Sequence, residues 1–410
     1  MESTKYLVIG GGLAAATAAE ELVRADESAR GATVILTAEA ELPYHRPPLS
    51  KGFLTGSEKR EDLFVHPEDF YSSNGIEVRF RTRARLIDPA SRVCELELNR
   101  SIGFERALIV TGASPVRFEG PGRALEGVHY LRNMQDAERI RRASDDWNEV
   151  AIIGAGFIGM ELAAAFAARG IRTTVISRGR TVLDRMHNPE VSAFLQRYFE
   201  RRGVRFLLED EPYGLLGSGE VNLIHTRAGQ KVACDGVVFG VGAAPNVDLA
   251  RASRLRVENG VVVDACLQTA VPGIYAAGDV ANFPDAVFGV RRRVEHWDNA
   301  ESQGRVAGRN LAGGGERFDR VSMYFTDLFD LSLEVWGMPR EGDRIVLRGD
   351  LSDRSIFAWH LRDDVVNAAV LMGRPPEESE LVEKIIRARL NVAGRIAHLR
   401  DPRKPLEDLL

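Results

Sequence analysis

Cysteine is scarce: the 410 residues contain Cys94, Cys234 and Cys266 and no others. None stands in a CxxC pair or at zinc-ligand spacing. That excludes a disulfide framework, a dithiol motif and a zinc ribbon, and it fits a reducing compartment. A basic excess is also missing. Lys plus Arg number 54 against 59 Asp plus Glu, a net charge of −5, whereas a dedicated nucleic-acid binder would carry the opposite sign. Long apolar runs are lacking too, since the alanine-rich stretches are short and broken by charge, well under the ~20 residues that cross a bilayer. The amino terminus, MESTKYLVIGGG, enters a strand almost at once and leaves no room for a signal peptide. A cytoplasmic α/β protein is expected, with neither nucleic acid nor membrane as partner. Its length and 44% hydrophobic content suit two or three domains.

Glycine, by contrast, is placed with purpose. Lys5 to Ile9 reads as a buried strand, Gly10, Gly12 and Ala15 form a GxGxxA turn, and an alanine-rich helix follows before a second strand at Thr33 to Thr37. Such a turn lets the backbone approach a pyrophosphate while the helix amino terminus offers N–H groups to the anion. The pattern recurs: a strand at Val150 to Ile153, then Gly154, Gly156 and Gly159, a helix ending near Gly170, and a strand at Thr173 to Ser177. Two such units imply two nucleotide-bearing ligands; the plainer alternative is a pair of tight strand–helix junctions. ALIVTGASP (Ala107 to Pro115) is a strand running into a turn, and GIYAAGDVA (Gly273 to Ala281) is a strand ending at Gly278 and Asp279. Asp279 is placed either to accept from ligand hydroxyls at the sheet's carboxyl edge or to cap a following helix. From about Arg317 the texture changes. Strands at Arg354 to Leu361 and Val365 to Met372 flank Arg362-Asp363-Asp364 as a hairpin, and Glu377 to Leu390 has helical periodicity, together an α+β domain.

With both glycine motifs, the TGASP turn and the AAGD strand in this order, the chain resembles the two-dinucleotide flavoprotein family that includes glutathione reductase. It is most similar to the ferredoxin-reductase branch, which holds putidaredoxin reductase and the biphenyl dioxygenase ferredoxin reductases and is related to apoptosis-inducing factor. The most specific strings are LPYHRPPLSK (Leu42 to Lys51), RRRVEHWDNAESQGRVAGRNL (Arg291 to Leu311) and YFTDLFDLSLEVWG (Tyr324 to Gly337). The resemblance implies two Rossmann-like domains: residues 1–116 and 240–316 for FAD, and 117–239 for NAD(P)H. Residues 317–410 would cover the flavin.

The resemblance also implies site residues. FAD would contact Gly10, Gly12, Leu13, Ala14 and Asp279, with Arg46 and Arg132 near its phosphate and ribityl region and Gly242 in the return segment. Lys51 is the leading candidate beside the reacting face, where a cation raises flavin electron affinity; a solvated surface charge is its ordinary alternative. Trp297 would pack beside the flavin and exclude water, or be plain core. Phe325 stands where apoptosis-inducing factor has a Trp, keeping the aromatic face but losing a donor. Glu295 and His296 would border the nicotinamide. On the second fold, Gly154, Gly156, Phe157, Ile158 and Gly159 would line the dinucleotide, and Glu161 would reach the carboxamide. The plainer role for Glu161 is a favourable charge at a helix amino terminus.

Cofactor choice turns on the second strand of each fold, where an acid binds a ribose diol and Arg attracts a 2′-phosphate. Ser177 stands where NADH-preferring relatives often carry Glu, with Arg178 and Arg180 following, which suggests acceptance of NADPH unless both arginines serve solubility alone. In the FAD fold the acidic position aligns with Ala38, so either Glu39 or the backbone takes the ribose.

HRPPLSKGFL has no cysteine where disulfide reductases of this fold keep a redox pair. An iron–sulfur ferredoxin feeding an oxygenase, or a rubredoxin, is therefore the expected acceptor. The alternatives are an NAD(P)H oxidase or quinone reductase, and a redox-responsive protein like apoptosis-inducing factor. Ferredoxins are typically acidic, and Arg291, Arg292 and Arg293 are the densest basic run, hence the expected docking patch. All three cysteines are expected to be small buried hydrophobes.

Overall fold

The computed structural model describes the backbone of residues 1–410 and every side chain but that of Pro376. The chain forms two compact units. One comprises Met1–His45, Arg60–Ser114 and Ala244–Ser322; the other comprises Arg46–Lys59, Pro115–Ala243 and Met323–Leu410. Among the described residues, no helix is long and apolar enough to cross a membrane.

In the first unit the strand Glu2–Ile9 lies parallel between Thr33–Leu36 and Ser101–Ile109. Ile76–Arg79 extends the sheet beyond Thr33–Leu36, and Ile274–Ala276 pairs with the end of Ser101–Ile109. Tyr6 to Ile9 and Thr33 to Leu36 are buried throughout, as central parallel strands must be when helices cover both faces. The helix Leu13–Ala25 follows the first strand, and Trp297–Leu311 packs on it. Small residues allow this close approach: a Cβ at Gly304 would collide with Thr17 Oγ1 and come within 2.7 Å of the Ala14 carbonyl oxygen, and one at Gly308 would strike the Ala18 carbonyl oxygen. Charge closes the seam, with Arg305 and Arg309 both donating to Glu21 at 3.1 and 2.8 Å.

The second unit repeats the design. Its parallel sheet runs Arg205–Leu208, Arg172–Ser177, Glu149–Ile153, Gly236–Phe239, Val128–Tyr130. The helix Phe157–Ala168 enters from the glycine turn. A three-stranded antiparallel ribbon, Pro212–Leu216, Leu223–Thr226 and Lys231–Ala233, is appended to this fold.

The tail is α+β as expected, but richer in strands. Its antiparallel sheet has five: Met323–Leu328, Leu331–Gly337, Val365–Met372, Ser355–Arg362 and Arg344–Asp350. The helix Pro376–Arg387 packs against it. The expected hairpin is present, and Asp363 and Asp364 both adopt positive φ (52° and 57°), the backbone of a two-residue turn matched to strand twist.

Candidate functional site

Each glycine turn solves the same steric problem. Gly10 has φ +128°, and a Cβ there would collide with the Val110 carbonyl oxygen; Gly154 has φ +108° and would collide with the Gly240 carbonyl oxygen. These glycines let one strand end pass directly over another. Gly12 and Gly156 are the N-cap residues of the two helices; neither has a side-chain cap, and a Cβ on either would meet nothing within 4 Å. Open space thus lies before two uncapped amino termini, at Leu13 and Ala14 in one unit and Phe157 and Ile158 in the other. That suits an anion held by backbone N–H groups and the helix dipole. At the third position, Ala15 is fully buried and a Cβ on Gly159 would collide with the Gly154 carbonyl oxygen, so small residues set the helix tightly on its sheet. Both cradles fit a dinucleotide pyrophosphate.

The strand ends differ between the copies. After Thr33–Leu36, Glu39 donates its amide to Thr37 Oγ1, and its carboxylate accepts from Tyr44 Oη at 2.6 Å. After Arg172–Ser177, Ser177 Oγ accepts from the Gly179 amide at 3.3 Å, and Arg178 and Arg180 project with side chains 77% and 87% exposed.

In the first unit, Asp279 lies in a 3-10 turn, Gly278–Val280, that leads into the strand Ala281–Asp285. No helix follows it, so the capping alternative is removed. His296 is the N-cap of Trp297–Leu311 and accepts from the Asp298 amide at 3.4 Å. Glu295 is ion-paired with Arg293. Trp297 donates its indole N–H to His45 Nδ1 at 2.9 Å, with ring centroids 5.7 Å apart. His45 was not expected as a site residue. Burial pushes its imidazole below the ordinary 6.5, against the pull of Glu301, which keeps Nδ1 available as an acceptor.

The arginine run does not present three outward cations. Arg292 is paired with Asp285 at 2.6 Å and its side chain is only 14% exposed; the half-buried Arg293 pairs with Glu295 and donates to the Asp279 carbonyl. Arg291 is exposed, yet its Nη1 donates to the carbonyls of Val263 and Asn282. Adjacent acids and main-chain oxygens absorb the charge, so the run is a structural clasp rather than a ready docking patch.

In the second unit a buried carboxylate joins three segments. Glu161, 7% exposed, accepts from Ser50 Oγ at 2.5 Å and Thr326 Oγ1 at 2.8 Å, and Lys51 Nζ lies 3.3 Å away. Lys51 also donates to Asp327 at 2.8 Å, and its ammonium sits 5.1 Å from the Phe325 ring centroid. Glu161 is the fifth residue of its helix, outside the first turn, so a helix-terminus charge does not explain it. Burial pushes its carboxyl above the usual range, while Lys51, Ser50 and Thr326 oppose that shift. Ser50, Thr326 and Asp327 join the cluster from the LPYHRPPLSK and YFTDLFDLSLEVWG strings, which were singled out as segments although these three residues were assigned no role. Arg46 Nη1 donates to the Arg132 carbonyl at 2.6 Å, bringing those two expected residues together. Phe157 stacks on Tyr324 with centroids 6.0 Å apart. Gly242 has φ +104° with open space beside it.

The cysteines form no disulfide. Cys94 and Cys234 are buried, and burial pushes each thiol up to about 12, far from a reactive thiolate. Cys266 departs from expectation. It is only half-buried, and its thiol donates to the Gly315 carbonyl.

Comparison with known proteins agrees with this geometry. Residues 4–304 match the pyridine nucleotide-disulphide oxidoreductase family, and residues 323–410 match the reductase C-terminal family. Over 378 residues the chain is 34% identical to the anthranilate 1,2-dioxygenase system ferredoxin–NAD(+) reductase component of Burkholderia cepacia, covering 91% of this chain and 92% of that one. A ferredoxin reductase structure from Rhodopseudomonas palustris superposes with a TM-score of 0.94 at 30% identity, covering 100% of this chain and 99% of that one. The reductase of a covalent putidaredoxin reductase–putidaredoxin complex gives 0.93 at 28% identity, covering 100% and 98%. The chain belongs to the pyridine nucleotide-disulphide oxidoreductase family and carries the reductase C-terminal module.

Proposed function

We propose that this chain is an FAD-dependent reductase that takes a hydride from NAD(P)H and passes single electrons to an iron–sulfur ferredoxin supplying an oxygenase. The observation that carries the reading is the duplicated, uncapped glycine-turn helix, at Gly12 and Gly156, in a chain similar over its length to ferredoxin reductases. FAD, when bound, accepts an electron pair from nicotinamide and can give it up one electron at a time. Each NAD(P)H that leaves as NAD(P)+ then releases one proton and reduces two one-electron carriers.

The protein's part is binding, orientation and charge. Residues 1–116 and 240–316 form the FAD domain, 117–239 the NAD(P) domain and 317–410 the third. The amides at Leu13 and Ala14 hold the FAD pyrophosphate over Gly10 and Gly12, Asp279 accepts from the cofactor's hydroxyls, and Glu39, fixed by Tyr44, takes the adenosine ribose. Arg46 and Arg132 supply cationic donors toward its phosphate and ribityl region, and Gly242 leaves room for backbone contact. The amides at Phe157 and Ile158 hold the second pyrophosphate over Gly154 and Gly156, with Gly159 keeping the helix close. Glu161 orients the nicotinamide carboxamide, with Lys51 and Phe325 beside the reacting face. Glu295 and His296 border the nicotinamide. Trp297, held by His45, excludes water. Three thiols without a disulfide support a cytoplasmic location.

The test uses the purified protein with NADH and NADPH in turn, following cytochrome c reduction with and without added ferredoxin or rubredoxin. Carrier-dependent turnover is expected. Equal turnover without carrier, or rapid oxygen consumption by the enzyme alone, would show an oxidase or quinone reductase instead.

A further inference from the structure

The molecule contains its own comparison for nucleotide choice. In the first fold the strand Thr33–Leu36 is followed by Thr37, Ala38 and Glu39, the last a carboxylate already positioned by Tyr44. In the second fold, aligned by the Gly10 amide on the Leu36 carbonyl and the Gly154 amide on the Ile176 carbonyl, the matching stretch is Ser177, Arg178 and Gly179, with Arg180 next, and it holds two guanidinium groups and no carboxylate. A carboxylate there would pair with a ribose diol and repel a 2′-phosphate; two arginines do the reverse.

Their setting distinguishes them from scattered surface charge. The loop that bears them is pinned on both sides by backbone hydrogen bonds, from the Asp210 amide to the Ser177 carbonyl and from the Glu209 amide to the Gly179 carbonyl. It is tied to the glycine turn as well, since the Leu183 amide donates to the Ala155 carbonyl and the Gly154 amide to the Ile176 carbonyl, both at 2.8 Å. Yet the guanidinium groups are loosely held. Arg178 lies 3.6 Å from Glu211 and Arg180 lies 3.5 Å from Glu209, beyond the 2.7–2.9 Å of a strong charge-assisted bond. Glu211 makes its short contact, 2.6 Å, with Arg227 instead. Exposed pairs of this length are weak, and an incoming phosphate can displace them.

We propose that Arg178 and Arg180, in a strand-end stretch that lacks the first fold's carboxylate, recognise a 2′-phosphate, so that the second fold prefers NADPH to NADH. The proposal rests on reading the second fold as the nicotinamide dinucleotide domain, and it sets this chain apart from a relative named for NAD(+).

Binding of adenine fragments to the FAD-loaded protein, measured by calorimetry, tests it without turnover. 2′,5′-ADP is expected to bind about tenfold or more tighter than 5′-AMP, and added salt should shrink the difference. In Arg178→Ala/Arg180→Ala the ratio should collapse toward one, and Ser177→Glu should favour 5′-AMP. Equal binding of the two fragments by the unmodified protein would overturn the 2′-phosphate site while leaving the dinucleotide reading intact. Failure of both fragments to bind would overturn the 2′-phosphate site and the dinucleotide reading together.

Discussion

The ammonium of Lys51 lies 3.3 Å from a carboxylate oxygen of Glu161, a side chain only 7% exposed. Because burial holds the Glu161 carboxyl above its ordinary 4.5, the folded protein resists an ionisation that the unfolded chain accepts. Its contribution to stability is therefore complete below pH 4.5 and is lost as pH rises through the folded value. Lys51→Met removes the cation that opposes the shift, so stability should fall further as pH rises, by about 1–3 kcal/mol at neutrality. Glu161→Gln should flatten the dependence. Denaturant unfolding across pH measures both; identical profiles for Lys51→Met and the parent protein would refute the coupling.

Trp297 and His45 give a dependence on the acid side. Burial depresses the imidazole, so stability should be lost as pH falls below the ordinary 6.5, where the unfolded chain takes up a proton that the folded one resists. Trp297→Phe removes the donor to Nδ1. It should cost about 1 kcal/mol at neutral pH and make the acid loss shallower, because Nδ1 is then freer to protonate. A steeper loss would contradict this.

The seam between Leu13–Ala25 and Trp297–Leu311 is set by small residues. Gly304→Ala gains up to about 1 kcal/mol of helix propensity. It also places a methyl group against Thr17 and the Ala14 backbone, and such overpacking costs about 1–3 kcal/mol. Overpacking should win, lowering the unfolding midpoint and loosening FAD retention, since the displaced helix bears Gly12. A stabilised, fully yellow variant would refute the argument.

The paired glycine turns predict separable losses. Gly10→Ala, forced against the Val110 carbonyl at φ +128°, should yield protein that purifies colourless. Gly154→Ala should remain yellow but bind reduced nicotinamide dinucleotides at least about tenfold more weakly. Absorbance after gel filtration and difference titration distinguish them; the same defect in both would contradict two separate sites.

Much of this was legible in the sequence where a local pattern carried it. The two strand–turn–helix units and the Asp363–Asp364 hairpin have short-range signatures, and the structure places them within a few residues of expectation. Three tail strands had not been assigned. Met323–Leu328 and Leu331–Gly337 are interrupted by the polar residues Thr326, Asp327, Ser332 and Glu334, and their turn at Phe329–Asp330 has no glycine to mark it. The Glu161 cluster was only partly visible, because Ser50, Thr326 and Asp327 reach it from distant segments. The arginine run misled for a related reason: its neutralising partner Asp285 lies across a strand pair, where charge counting along the chain cannot register it.

The central claim is most directly tested by anaerobic titration of the yellow holoenzyme with one equivalent of NADPH in the presence of excess oxidised ferredoxin. The account predicts bleaching of the flavin absorbance, its recovery, and two ferredoxins reduced per nicotinamide oxidised. A flavin that stays bleached beside oxidised ferredoxin, or protein that binds no flavin even after reconstitution, would contradict it.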